Sequence, residues 1–158
     1  MGILKKIFQS KEGFTLVEVL VSVATITITI SGLVQSFTAS SLLADMSANM
    51  SVAIREAESK MEEIRNYNYS LVTTDYVLGG TPGNTFSLTA ATGKGVIYID
   101  SSNASLLTIE IDVSWKDRDG RVIGQDANLN GTIEAGEDPD GNSKLDSTVK
   151  IITQLAKR

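Results

Sequence analysis

Neither cysteine nor histidine occurs among the 158 residues. The lack of cysteine excludes disulfides, thiolate zinc sites and a cysteine nucleophile. The lack of histidine removes the commonest general base, the usual zinc ligand and a histidine pH switch. Only 2 prolines and 13 glycines occur beside 42% hydrophobic residues, so neither wholesale disorder nor a collagen-like chain fits. Basic residues are the minority: 14 against 19 acids leave a formal charge of −5. With a pI near 4.7 and no basic stripe, no nucleic-acid-binding surface is expected. The length suits one domain with a real core.

Composition is uneven along the chain. Residues 1–13 are short and basic, with Lys5, Lys6 and Lys11 against Glu12. Phe14 to Val34 follows, 21 residues in which Glu18 is the only charge. A helix of ~20 apolar residues crosses a hydrocarbon core of ~30 Å. The lysines are expected to hold its start in the cytoplasm and send the rest of the chain across. A secretory signal has an apolar core of ~7–15 residues and a small-residue cleavage site. This run is longer and has no Ala-x-Ala-like ending, so it reads as an anchor. Thr25, Thr27 and Thr29 alternate with Ile26, Ile28 and Ile30 in strand-like fashion. A lone strand cannot span lipid, whereas in a helix each hydroxyl can bond a carbonyl one turn back. Glu18 needs a partner or a task at that depth.

The helix is expected to continue through residues 35–66. Leu43, Met46, Met50, Ile54, Ala57, Met61 and Ile64 recur at steps of 3 or 4, one apolar stripe on a 3.6-residue period. Glu56 and Lys60 stand four apart in the favourable order. The stripe is short for a coiled coil and rests on Met and Ala, so it is assigned to packing on the chain's own sheet. Gly32 is the expected place for a bend or local unwinding.

Residues 67–158 read as a globular β domain, giving an α+β fold. Leu71 to Asn84 is loop-like, punctuated by Gly79-Gly80 and Pro82-Gly83. Strand patterns follow at Thr85 to Thr89 and Gly95 to Asp100. Leu107, Ile109, Ile111, Val113 and Trp115 then alternate with Thr108, Glu110, Asp112 and Ser114. Asp119-Gly120 marks a tight turn into Arg121-Val122-Ile123, and Thr148 to Leu155 returns to the sheet. Trp115, the sole tryptophan, ends an apolar row and is assigned to the core or sheet edge.

Between them lies an acidic insertion, residues 124–147. Asp126, Asn128, Asn130, Gly131, Thr132, Glu134 and Glu137 reproduce positions 1, 3, 5, 6, 7, 9 and 12 of the twelve-residue calcium loop. Asp126, Asn128 and Asn130 offer side-chain oxygens, Thr132 its carbonyl, Glu134 a direct or water-mediated contact, and Glu137 both oxygens. Ile133 is the apolar anchor at position 8. Asp138, Asp140, Asn142 and Asp146 then repeat the odd-position oxygens without a glutamate at position 12. They hold a second, weaker ion or join the first site's shell. Calcium is the expected cofactor, with a structural role, because magnesium prefers a small octahedral shell that retains water.

Gly13-Phe14-Thr15-Leu16-Val17-Glu18-Val19-Leu20-Val21, behind a basic leader, resembles the signature of type IV prepilins and type II secretion pseudopilins. Glu56 to Arg65 and Ile111 to Asp117 resemble the minor subunits. The resemblance implies a pilin-like fold: a long N-terminal helix, transmembrane in its first half, on a small antiparallel β-sheet. It implies that a prepilin peptidase/methyltransferase cuts between Gly13 and Phe14 and methylates the new amine. It implies that Glu18 meets the N-terminal amine of a neighbouring subunit. Inner-membrane lipid, an assembly platform and other pilin or pseudopilin subunits are the implied partners. The implied location is a bacterial inner membrane with the C-terminal domain periplasmic, then a pilus or pseudopilus. The expected function is a structural one: a minor pilin or minor pseudopilin that initiates, caps or decorates the filament. An adhesive or cargo-binding tip subunit and a membrane-anchored periplasmic calcium-binding domain are the alternatives. No nucleophile with a base is evident, so the chain reads as no enzyme.

Overall fold

The computed structural model describes residues 13–103 and 105–157. The basic leader up to Glu12 lies outside them. The chain divides into two compact units, residues 1–41 and Leu42–Arg158, and helix α1 (Leu16–Arg65) contributes to both.

In the first unit, Thr15 caps the helix: its Oγ1 accepts the Glu18 N–H at 3.2 Å. Glu18 thus stands in the first turn, where the helix dipole favours an acid. Phe14, Leu16, Val17, Leu20, Ile28 and Leu33 are all exposed. Among the described residues, α1 is long and apolar enough to cross a membrane once. The hydroxyls of Thr25, Thr27 and Thr29 donate to the carbonyls of Val21, Val23 and Thr25 at 2.7–2.8 Å. The alternating threonines are satisfied within the helix. It also runs on through Gly32, whose carbonyl accepts the Ser36 hydroxyl at 3.0 Å, so no unwinding occurs there.

In the second unit, the end of α1 packs on a small antiparallel sheet, an α+β arrangement. The strands are β1 (Thr85–Ser87), β2 (Gly93–Asn103), β3 (Leu106–Lys116), β4 (Val122–Ile123) and β5 (Val149–Ala156). β3 is central. It pairs with β2 along one side, and its other side is shared end to end by β5, against Leu106 to Val113, and β4, against Trp115 and Lys116. Leu107, Ile109, Ile111, Val113 and Trp115 are all buried and form one cluster with Ala53, Ala57, Met61 and Ile64 of α1. Small residues at 53 and 57 let the helix approach the sheet closely. The expected stripe is fully buried only toward its C-terminal end, at Ala57, Met61 and Ile64, whereas Leu43 is 66% and Met50 42% exposed.

The stretch expected to be loop from Leu71 contains a short helix, α2 (Tyr69–Asp75). Asn68 caps it, accepting the Ser70 N–H at 3.1 Å, and Val72 is fully buried. Tyr76, just after it, packs edge-on to Tyr67 with centroids 5.2 Å apart.

Polar ties fasten α1 to its neighbours. Arg118 pairs with Asp45 at 2.7 Å, and Asn49 Nδ2 donates to Asp117 Oδ1 at 3.2 Å. Glu56 accepts the Thr89 N–H at 2.8 Å as well as its hydroxyl. Glu63 accepts the Tyr76 hydroxyl at 2.8 Å and pairs with Lys60 at 2.6 Å. The Thr89 hydroxyl holds the Glu56 carboxyl below its ordinary value, and Lys60 does the same for Glu63. A carboxyl depressed by folding contributes stability above its unfolded pKa and loses it as pH falls through the folded one. The resistance of the full chain in detergent to urea should therefore fall steadily below about pH 4.5. Glu56→Gln should flatten that decline; an unchanged slope would dismiss this tie.

Candidate cation-binding loops

The insertion leaves the sheet after β4 and returns at β5, along the same side of β3. Its neck is zipped by Gln125, whose N–H donates to the Asp146 carbonyl at 2.9 Å while its Oε1 accepts the Asp146 N–H at 3.0 Å. Beyond the neck it covers the second face of β3. The Leu145 N–H donates to the Tyr98 hydroxyl at 2.7 Å, Leu145 is 1% exposed, and the Ser147 hydroxyl bonds the Val113 carbonyl. This cover explains why Glu110, Asp112 and Ser114, the polar row of the strand, are buried as well.

Every site residue proposed from the sequence in the first loop is drawn into local hydrogen bonds. Asp126 is fully buried; its two oxygens accept the N–H groups of Asn130 at 3.0 Å and Gly131 at 2.8 Å. Asn128 Oδ1 accepts the Asn130 N–H at 3.0 Å. Asn130 Oδ1 accepts the Thr132 N–H at 2.7 Å, and its amide donates to Glu134 Oε1 at 2.8 Å. Glu137, 7% exposed, bridges the loop by accepting the N–H groups of Ala127 at 2.9 Å and Glu134 at 3.1 Å. Gly131 has φ +78°, and a Cβ there would stand 2.7 Å from Thr85 Cγ2, so position 6 needs glycine for conformation and for space.

The second loop has the same construction twelve residues later. Asp138 accepts the N–H groups of Asn142 at 3.0 Å and Ser143 at 2.9 Å, as Asp126 does for Asn130 and Gly131. Asn142 Oδ1 accepts the Lys144 N–H at 2.8 Å, and its amide donates to Asp140 at 2.8 Å and Asp146 at 2.7 Å. Positive φ recurs at the same places: Leu129 and Gly131 in the first loop, Gly141 and Ser143 in the second. The insertion is a tandem repeat of one loop fold.

Carboxylate oxygens of Glu110, Asp112 and Asp146 come within 4.8 Å of one another, a buried acidic cluster able to coordinate a divalent cation. Asp146 was among the residues expected from sequence; Glu110 and Asp112 of β3 were not. Their signal was an acid pair two residues apart on a strand otherwise rich in isoleucine and valine. Two lysines stand over them. Lys144 pairs with Glu110, and Lys150 reaches Glu110 Oε1 at 2.8 Å, Asp112 Oδ1 at 3.7 Å and Asp146. Burial pushes the Asp112 carboxyl up, opposed by Lys150 and aided by Glu110. Burial acts on Glu110 as well, but the lysines win and hold it below its ordinary value.

Comparison with family models, curated proteins and solved structures gives no match to this chain.

Proposed function

We propose that this chain is a minor subunit of a filament of the type IV pilus or type II secretion pseudopilus class, made as a membrane-anchored precursor. The observation that carries the reading is the continuity of α1. One helix holds an exposed, bilayer-length apolar stretch with a single acid in its first turn, then supplies the face that packs on an antiparallel sheet. A membrane tether alone needs no helix that runs on from the apolar stretch into the packed face, as α1 does. Gly13-Phe14 supplies the processing junction. Glu18 supplies a charge that is costly in lipid until it meets the amine of a neighbour. The first insertion loop binds calcium through Asp126, Asn128, Asn130, the Thr132 carbonyl, Glu134 and Glu137. Its role is to clamp the cover over β3 on the far side of the membrane, where calcium is plentiful.

Glu18→Ala and Glu18→Leu separate assembly from insertion. Both variants should reach the membrane and be processed, because neither removes apolar length. Their yield in sheared filaments, relative to the membrane pool, should fall on the order of tenfold, or about 1.4 kcal/mol. Incorporation at the wild-type ratio would show that Glu18 is not the assembly contact.

A further inference from the structure

The acid pair on β3 is not fully compensated. Asp112 is 1% and Glu110 8% exposed, and Asp112 Oδ2 has no hydrogen-bond partner. The Lys150 ammonium pairs with Glu110 Oε1 at 2.8 Å but reaches only the other oxygen of Asp112. Leaving a buried carboxylate oxygen unpartnered is costly, and an ion with several open coordination positions would remove the deficit.

We propose that Glu110, Asp112 and Asp146 form a second divalent-cation site, of calcium type, in which the Lys150 ammonium is a displaceable placeholder. Two oxygens on one calcium, each at 2.3–2.6 Å, stand at most about 4.6–5.2 Å apart. The cluster's span of 4.8 Å or less fits that limit. The second loop explains why the strand is involved. Its position 12, where the first loop carries Glu137, falls on Val149, which is buried in β5 and offers no side-chain oxygen. Asp146 occupies position 9 and is held by the Asn142 amide. The acids of β3 supply from beneath what the loop lacks. Both lysines retain a way out, since the side chains of Lys144 and Lys150 are 34% and 33% exposed. A chain without histidine or cysteine offers only hard oxygen ligands, which suit calcium.

The inference stands apart from the filament reading and from the first loop, and one titration distinguishes them. The full-length protein, stripped with chelator and held in detergent micelles, is titrated calorimetrically with calcium. Wild type should bind two ions, and Asp112→Asn, which keeps the shape of the side chain, one. Glu137→Gln should leave the affinity of the second-site ion unchanged and weaken the first-loop ion roughly ten- to a hundredfold, out of the range in which the titration counts it. Lys150→Gln should keep both and bind the second roughly tenfold more tightly, because a competing positive charge is gone. Misfolding cannot produce that gain. Undiminished stoichiometry in Asp112→Asn, or no tightening in Lys150→Gln, would overturn the second site. A single wild-type ion lost only in Glu137→Gln would leave the first loop standing and this site refuted. A single ion lost only in Asp112→Asn would do the reverse, and no binding at all would refute both.

Discussion

Gly13→Leu is expected to stop removal of the leader while leaving the folded domain untouched. A Cβ placed on Gly13 has nothing within 4 Å, and the residue precedes the first helical turn. Among the described residues the substitution has no packing to disturb, so the expected effect lies in the cleft of a processing enzyme. A peptidase that draws an extended chain across its active site needs a residue without a side chain where the backbone passes closest. A branched side chain there is a direct obstruction. The variant should accumulate as precursor in the membrane, at wild-type amount, with an unchanged unfolding midpoint. It should be missing from filaments. The precursor-to-mature ratio on a gel, read beside thermal unfolding, separates a processing defect from a folding one. Normal processing of Gly13→Leu would remove the basis for reading Gly13-Phe14 as a cleavage junction.

Glu137→Gln should produce the largest loss of calcium affinity from the first loop, roughly ten- to a hundredfold. Even groups that stand behind metal ligands act on that scale. Two effects combine. The amide removes charge and one of the two oxygens of the bidentate ligand at position 12. It also sets an NH2 opposite the N–H of Ala127 or of Glu134, where both glutamate oxygens now accept, so one backbone donor loses its partner. Sites of the extracellular type have dissociation constants of ~10⁻⁴–10⁻³ M. At 10 mM calcium, such a site adds about 1.4–2.7 kcal/mol to stability. In Glu137→Gln the first loop's share should fall by about 1–2.3 kcal/mol, seen as a smaller calcium-dependent rise in Tm. Asp126→Asn should follow in severity, because its second oxygen accepts the Gly131 N–H at 2.8 Å and an amide nitrogen cannot. A calcium-dependent rise in Tm of the same size in Glu137→Gln and wild type would exclude Glu137 as a ligand.

What could be read without coordinates was whatever depends on local period. The alternation from Leu107 to Trp115 is a strand with one face against α1, and Ala57, Met61 and Ile64 at helical spacing are in that interface. The hydroxyls of the apolar run bond one turn back, as helical geometry requires. What depends on distant partners was not legible. Helix α2 is seven residues long, too short for a period, and rests on the Asn68 cap and the burial of Val72. Leu43 and Met50 continue the apolar stripe but stay exposed, so pattern alone overstated the packed face. The second face of β3 departs further from its pattern. Its alternating Thr108, Glu110, Asp112 and Ser114 suggests an outward row, yet the insertion folds over it and buries three of the four. An acidic insertion looks like a solvated loop until its neck and its Leu145 anchor are seen. The calcium-loop spacing was visible in residues 126–137. The twelve-residue repetition was visible only in its oxygens, and its common backbone form emerges from matching hydrogen bonds and φ angles.

The filament reading meets its most direct test in the N-terminus of the protein recovered from sheared, purified filaments. Intact-mass and tandem mass spectrometry should find a chain that starts at Phe14 and carries one methyl group on its amino nitrogen, with the acid of Glu18 unmodified. That result requires cleavage after Gly13, methylation and incorporation to have occurred in turn on the same molecule. Filament-borne protein that still begins at Met1, or this chain's absence from filaments its own cells assemble, would contradict the account.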